Sequence, residues 1–122
     1  MKPGAPADDV LVNHMLECID RVCDYTGNDR SAFLASKLIQ DAVARNLQTL
    51  AESSQRLSEA LKTKEPTIPW RDIAGFRNVL VHGYLGLDVE IVWRIVDTDL
   101  PALRDALLRL RRSLDSAGDK DG

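Results

Sequence analysis

"AFLASKLIQDAVARNLQTLAESSQRLSEALK", residues 32–62, contains neither glycine nor proline. Ile39, Val43, Leu47, Leu50, Leu57 and Leu61 recur along it at steps that line one face of a helix with 3.6 residues per turn. Leu34, Leu38 and Ala42 run alongside. The stretch reads as one helix of about thirty residues, about 45 Å long at 1.5 Å per residue. Asp29 or Ser31 is placed to cap it. Asn46 and Glu52 fall on or beside the stripes. They read either as buried polar residues with partners or as edge residues.

Helical spacing continues on both sides. Upstream, Val10, Leu11, Met15, Cys18, Ile19 and Val22 form a stripe. That helix starts at Asp8 or Asp9, has an acidic first turn and stops at Gly27. His14 beside the stripe reads as a partly buried structural histidine. Downstream, "KTKEPTIP" breaks the pattern with two prolines, and Pro69 suits the first turn of "WRDIAGFRNVLVH". Gly83 and Gly86 end that helix. Asp88 can cap "VEIVWRIVD", and Thr98 or Asp99 can cap "LPALRDALLRLRRSL", with Pro101 in its first turn. No strand pattern competes. The expectation is an all-α antiparallel bundle of about five helices. One domain spans 8–116, between flexible tails at 1–7 and 117–122.

A chain of 122 residues with 44% hydrophobic content supports one folded domain. Its net charge of −3 gives no bulk attraction to nucleic acid or membrane, so any such contact needs a local basic site. Arg104, Arg109, Arg111 and Arg112 cluster near the end, where they read as favourable charge at a helix C-terminus. Cys18 and Cys23 sit about 140° apart on a helix and cannot readily bridge each other. Two unpaired thiols suit a reducing cytosol. No apolar signal core or membrane-length run is present, so a cytoplasmic protein with no membrane association is expected. No His/Cys cluster suggests zinc, and neither metal nor cofactor is expected.

The chemistry concentrates in "RNVLVHGYLG", residues 77–86. On a helical wheel with Arg77 at 0°, Phe76, Leu80 and Ile73 fall between about 260° and 320°, with Val79 near 200°. That arc is the core face. Arg77, Val81, Ala74, Asn78, Arg71 and His82 fill about 0° to 140°. Small apolar residues mixed with basic and polar ones suggest an interface that also carries chemistry. Asn78 and His82, four apart, are neighbours, so Asn78 can orient His82. Arg77 and His82 do not easily reach one atom from one helix, whereas two copies packed through this face can bring both sets into one cleft. Histidine suits proton transfer at neutral pH, and arginine suits a phosphate or phosphorane. Without acidic metal ligands, that pair suggests cleavage of RNA through its own 2′-hydroxyl. The alternative from spacing alone is that His82 is structural, a cation favoured near a helix end.

As a pattern, Arg77, His82 and Tyr84 fit R-x4-H-x-Y. The chain resembles the HEPN superfamily, and within it the HepT-like toxins, through "IPWRDIAGFRNVLVHGYLGLDVEIVWRIVDTDLP" and "QDAVARNLQTLAESSQRLS". The resemblance covers about residues 30 to 110. One departure is Ala51 before Glu52, where the family often has glycine. The resemblance implies an all-α bundle dimerising through the motif helix, and a metal-independent RNase site of Arg77 and His82, with Asn78 beside them. It also implies a partner, a minimal nucleotidyltransferase of the MntA type, that acts as antitoxin by transferring AMP onto Tyr84. Two readings follow: an RNase toxin neutralised by its partner, and a non-catalytic subunit whose motif face only docks the nucleotidyltransferase.

Overall fold

The structure is a computed structural model that describes residues 7–81 and 88–121, with the side chains of 77–81 and 117–121 outside the description. Helices fill it: α1 (Asp8–Thr26), α2 (Arg30–Ala35), α3 (Lys37–Arg56), α4 (Glu59–Lys62), α5 (Trp70–Val81), α6 (Val89–Arg94) and α7 (Leu100–Asp121). A π-helical turn, Ile95–Asp99, joins α6 to α7. Among the described residues there is no strand. The all-α bundle expected from the periodicity is present. No described helix is long and apolar enough to cross a membrane.

Helix α3 packs against both α1 and α5, while α7 packs on the other helices through α1. Val12, Met15, Ile19 and Val22 of α1 meet Val43, Leu47 and Leu50 of α3 and Leu103, Leu107 and Leu110 of α7 in one core. Ala51 is fully buried within it, so its methyl is accommodated in the core. Phe33 anchors α2 with its ring centroid 5.5 Å from that of Trp93 on α6.

Local chemistry sets several of the ends. Gly27 closes α1 at φ 57, the left-handed region, and its N–H donates to the Cys23 carbonyl. Of the two candidates for the next cap, Asp29 does the work, accepting from the Ala32 N–H. Asp88 accepts likewise from Ile91 and starts α6. Pro69 stands just before α5, and its carbonyl accepts from Ile73 N–H.

The single long helix expected over 32–62 is instead three helices. At Ser36 the backbone turns extended (φ −125°, ψ 108°), and its hydroxyl accepts from the Ile39 N–H at 3.1 Å. The Gln40 side-chain amide donates to the carbonyls of Phe33, which also accepts from the Ser36 N–H, and Leu34, at the end of the broken ladder. The second break, at Leu57 and Ser58, is held from outside. Ser58 donates from its N–H and hydroxyl to the Asp8 carboxylate, at 3.0 and 2.6 Å, while that hydroxyl accepts from Leu61 N–H. Both breaks replace helical bonds with side-chain bonds. They also reorient the apolar pattern: Leu57 and Leu61 remain buried, but Leu38 is 81% exposed.

Neither Thr98 nor Asp99 caps a separate fifth helix. The backbone stays helical from α6 into α7, and Leu100 N–H donates five residues back to Ile95. Pro101 has no N–H and would press its ring on the carbonyl four residues earlier in a regular α-helix. The widened turn just before it relieves that clash.

The arginine cluster is mostly spent on ties between elements. Arg104 pairs with Asp20 of α1, Arg109 with Glu65, and Arg111 donates to Asn13. Asn46 and Glu52 divide: Asn46 is buried and donates to the Ala42 carbonyl, whereas Glu52 is exposed.

Candidate active site on helix α5

Buried Ile73 and Phe76 fix the rotation of α5 against the core, as the wheel predicts. With that rotation set, positions 71, 74, 78 and 81 follow one another along a single stripe. Arg71 at the head of the stripe is exposed and Ala74 is half-buried. Arg77 and Asn78 belong to the second half of α5. Their side chains lie outside the described residues, as do those of Val79, Leu80 and Val81; His82, Gly83, Tyr84 and Gly86 lie outside entirely.

Beside the described part of the stripe opens a cleft of about 560 Å³, lined by Gln55, Glu59, Lys62, Trp70, Arg71 and Ala74, among others. The break at Leu57 makes room for it, because α4 leaves the line of α3 there. Trp70 is fixed by two bonds to the preceding turn: its indole N–H donates to the carbonyls of Lys62 and Glu65, each at 3.2 Å. Lys62 sits 3.6 Å from the Glu59 carboxylate, which is 89% exposed on its side-chain atoms. The floor of the connecting turn is pinned in turn by Glu65, bound in two places by Arg109 at 3.0 and 2.8 Å. Hydrogen bonding to that guanidinium holds the Glu65 carboxyl below its ordinary range, so it stays charged.

Burial pushes the Asp99 carboxyl up; Arg94 opposes this and Asp72 of α5 adds a smaller push. The cleft was not foreseen: the wheel flagged Arg71 and Ala74, but Lys62 and Glu59 come from a helix that the sequence reading fused to α3. A Trp70 so close to two prolines was the available signal.

His14 forms a separate polar cluster with structural character. Its Nδ1 is 2.7 Å from the Ser53 hydroxyl, and Cys18 Sγ lies 3.4 Å from Thr49 Oγ1. These bonds tie α1 to α3. Among the described residues, no group of three His, Cys, Asp or Glu side chains is gathered as a metal site.

Comparison with known proteins bears on most of the chain. A family model described as "Ribonuclease HepT-like" matches residues 15–110. A protein of Thermococcus cleftensis named "Probable ribonuclease HepT" is 39% identical over 80 residues, 66% of this chain and 73% of that relative. A candidate RNase of Methanocaldococcus jannaschii is 34% identical over 91 residues, 74% of this chain and 84% of its own length. A second protein of that organism, named a gamma-glutamylcyclotransferase and candidate RNase, is 33% identical over 107 residues, 87% of this chain. The chain spans only 48% of that longer relative. No solved structure matches the chain significantly. With the match covering most of the chain and agreeing with the helical fold, the chain belongs to the HepT-like family of the HEPN superfamily.

Proposed function

We propose that this protein is a metal-independent endoribonuclease, the toxin of a toxin–antitoxin pair, acting in the cytoplasm as a homodimer. The observation that carries this reading is R-x4-H-x-Y on and just after α5, in a chain of the HepT-like family. The ribonuclease names of its relatives support it.

Two α5 helices packed through the 74/78/81 stripe form the composite site. His82 of one protomer takes the proton from a ribose 2′-hydroxyl, whose oxygen attacks the adjacent phosphorus. The bond from phosphorus to the 5′-oxygen breaks, and the partner subunit's His82 protonates that oxygen. The products are a 2′,3′-cyclic phosphate and a 5′-hydroxyl. Arg77 stabilises the charge on the pentavalent phosphorus, and Asn78 orients His82. No metal or cofactor takes part.

Tyr84 is the control point. A phenol with a pKa of about 10 is a weak base at neutral pH but a usable acceptor for AMP. A cognate MntA-like nucleotidyltransferase transfers AMP from ATP onto its oxygen, releasing pyrophosphate. The added phosphate pairs with Arg77 and occupies the place of the RNA backbone.

His82→Ala and Arg77→Ala should each lower RNA cleavage by about 10²- to 10⁴-fold and remove toxicity, with helicity by circular dichroism unchanged. Wild-type cleavage should persist in EDTA and leave cyclic phosphate ends. Co-expression with the nucleotidyltransferase should add the mass of AMP, and Tyr84→Phe should prevent it. Loss of cleavage on chelation defeats the mechanism. A protein that binds the nucleotidyltransferase but cuts no RNA is the non-catalytic docking subunit instead.

A further inference from the structure

We infer that the cleft beside Trp70 and Arg71 is a subsite for one nucleotide of single-stranded RNA, flanking the bond cut at the motif. The inference rests on the ribonuclease reading above. It adds a binding site that the motif does not contain.

The cleft, about 560 Å³, is in the size range of small-molecule sites and so has room for a nucleoside. Among the described residues, the indole of Trp70 is its one aromatic wall. The only polar atom of that ring is already spent on the carbonyls of Lys62 and Glu65. What Trp70 offers a ligand is therefore ring surface, held rigid before anything binds. Bases of every kind stack on such a surface, and stacking is the sequence-tolerant half of single-strand recognition.

The other half is charge for the backbone. Arg71 is exposed, and among the described residues no carboxylate pairs with it. Lys62 also lines the cleft; its side chain is only 15% exposed, and its ammonium stands 3.6 Å from the mostly exposed Glu59. Glu59 is the counter-charge in the wall and would swing towards solvent as a phosphate enters. Position 71 precedes position 78 by two helical turns on the same stripe, about 10 Å along the axis. A strand whose reacting phosphate lies at the motif can therefore lay a neighbouring nucleotide in the cleft. Ala74 belongs both to the cleft and to the proposed seam, so the cleft borders the site that the two copies would form.

The probe is a short mixed-sequence 2′-O-methyl oligoribonucleotide carrying 5-iodouridine, which binds without supplying the nucleophile. Irradiation should cross-link it to Trp70, read by peptide mass spectrometry. By fluorescence anisotropy, Arg71→Glu should weaken binding about 10-fold or more and Arg71→Lys should retain most of it. Trp70→Phe should bind nearly as wild type, with Trp70→Ala about 5- to 100-fold weaker if it folds. On cleavable RNA, Arg71→Glu should raise KM and leave kcat within a few-fold.

If wild type cuts RNA while Arg71→Glu binds the probe normally and no cross-link reaches Trp70, the subsite is refuted and the ribonuclease stands. A wild type that binds and cross-links but does not cut keeps a nucleotide site in the cleft but loses the ribonuclease, and with it the flanking role proposed here. Absence of both binding and cleavage removes both. Normal probe binding by Arg71→Glu with a changed sedimentation mass assigns the cleft to contact between copies, which also overturns the inference.

Discussion

Cys18 is fully buried, and its thiol is pushed above the ordinary cysteine range by that burial; the bond to Thr49 opposes the shift without reversing it. Since the thiolate is the reactive form, Cys18 should be inert in the folded protein. Cys23 is half-buried, and burial raises it as well, with Asp20 adding to the effect. With iodoacetamide at neutral pH, intact mass should record slow addition at Cys23 and none at Cys18. In urea both should react, Cys18 at least about 10³-fold faster than in the native state, given typical domain stabilities. Rapid native labelling of Cys18 contradicts this placement. At this scale the sequence is informative where chemistry is local. Arg77, Asn78, His82 and Tyr84 stand out because their spacing is itself the signal, and His14 reads as structural because it flanks an apolar stripe. Ser53 as its partner is not legible, because 39 residues separate them and only the packing of α1 on α3 brings them together.

Between elements, the turn after α4 is a built structure and not slack chain. Ile68 is buried, Lys64 donates to Ser113, and Glu65 accepts twice from Arg109 of α7. The Glu65 carboxyl is depressed in the folded protein, chiefly by that hydrogen bond. A depressed carboxyl contributes stability that is present above its unfolded pKa and lost as pH falls through the folded one. Glu65→Gln should therefore be somewhat less stable than wild type at neutral pH, by the modest amount typical of a partly exposed ion pair. The difference should shrink to nothing as the pH drops below the ordinary carboxylate range. Urea denaturation across pH measures it, and a gap that widens on acidification rejects the assignment. Caps at Asp29 and Asp88 were readable because an N-cap uses its own side chain within three residues. The breaks at Ser36 and Ser58 were not. Serine costs a helix only a few tenths of a kcal/mol relative to its neighbours. Gln40 and Asp8 turn those weak sites into ends, and Asp8 is 50 residues away from Ser58 in sequence.

For the molecule as a whole, the periodicity sufficed for helix class because α1, α3 and α7 each bury a continuous apolar face. What the periodicity does not carry is how copies meet. The proposed seam runs along the stripe of Ala74, Asn78 and Val81, where small residues allow close approach of two α5 helices. Ala74→Glu would bury a carboxylate at that seam, at a cost of several kcal/mol if no partner neutralises it. Light scattering should then fall from twice the chain mass to the 13.6 kDa of one chain. A wild type already monomeric at micromolar concentration disproves the seam.

The π turn at Ile95–Asp99 also has a meaning for insertions and deletions. Relative to a regular helix it holds one residue too many, so it is a place where the chain can lose one without rotating Leu103, Leu107 and Leu110 out of the core. Pro101 keeps that surplus in place. Removing Thr98 alone should force the proline into a regular helix and cost about 3 kcal/mol. Removing Thr98 together with Pro101→Ala should restore most of that loss in urea denaturation. Deleting Ala106 instead should turn everything after it by about 100° and prevent folding. Should the Thr98 deletion be harmless by itself, the proline does not need the wide turn, and the surplus residue is only a relic of how the chain grew.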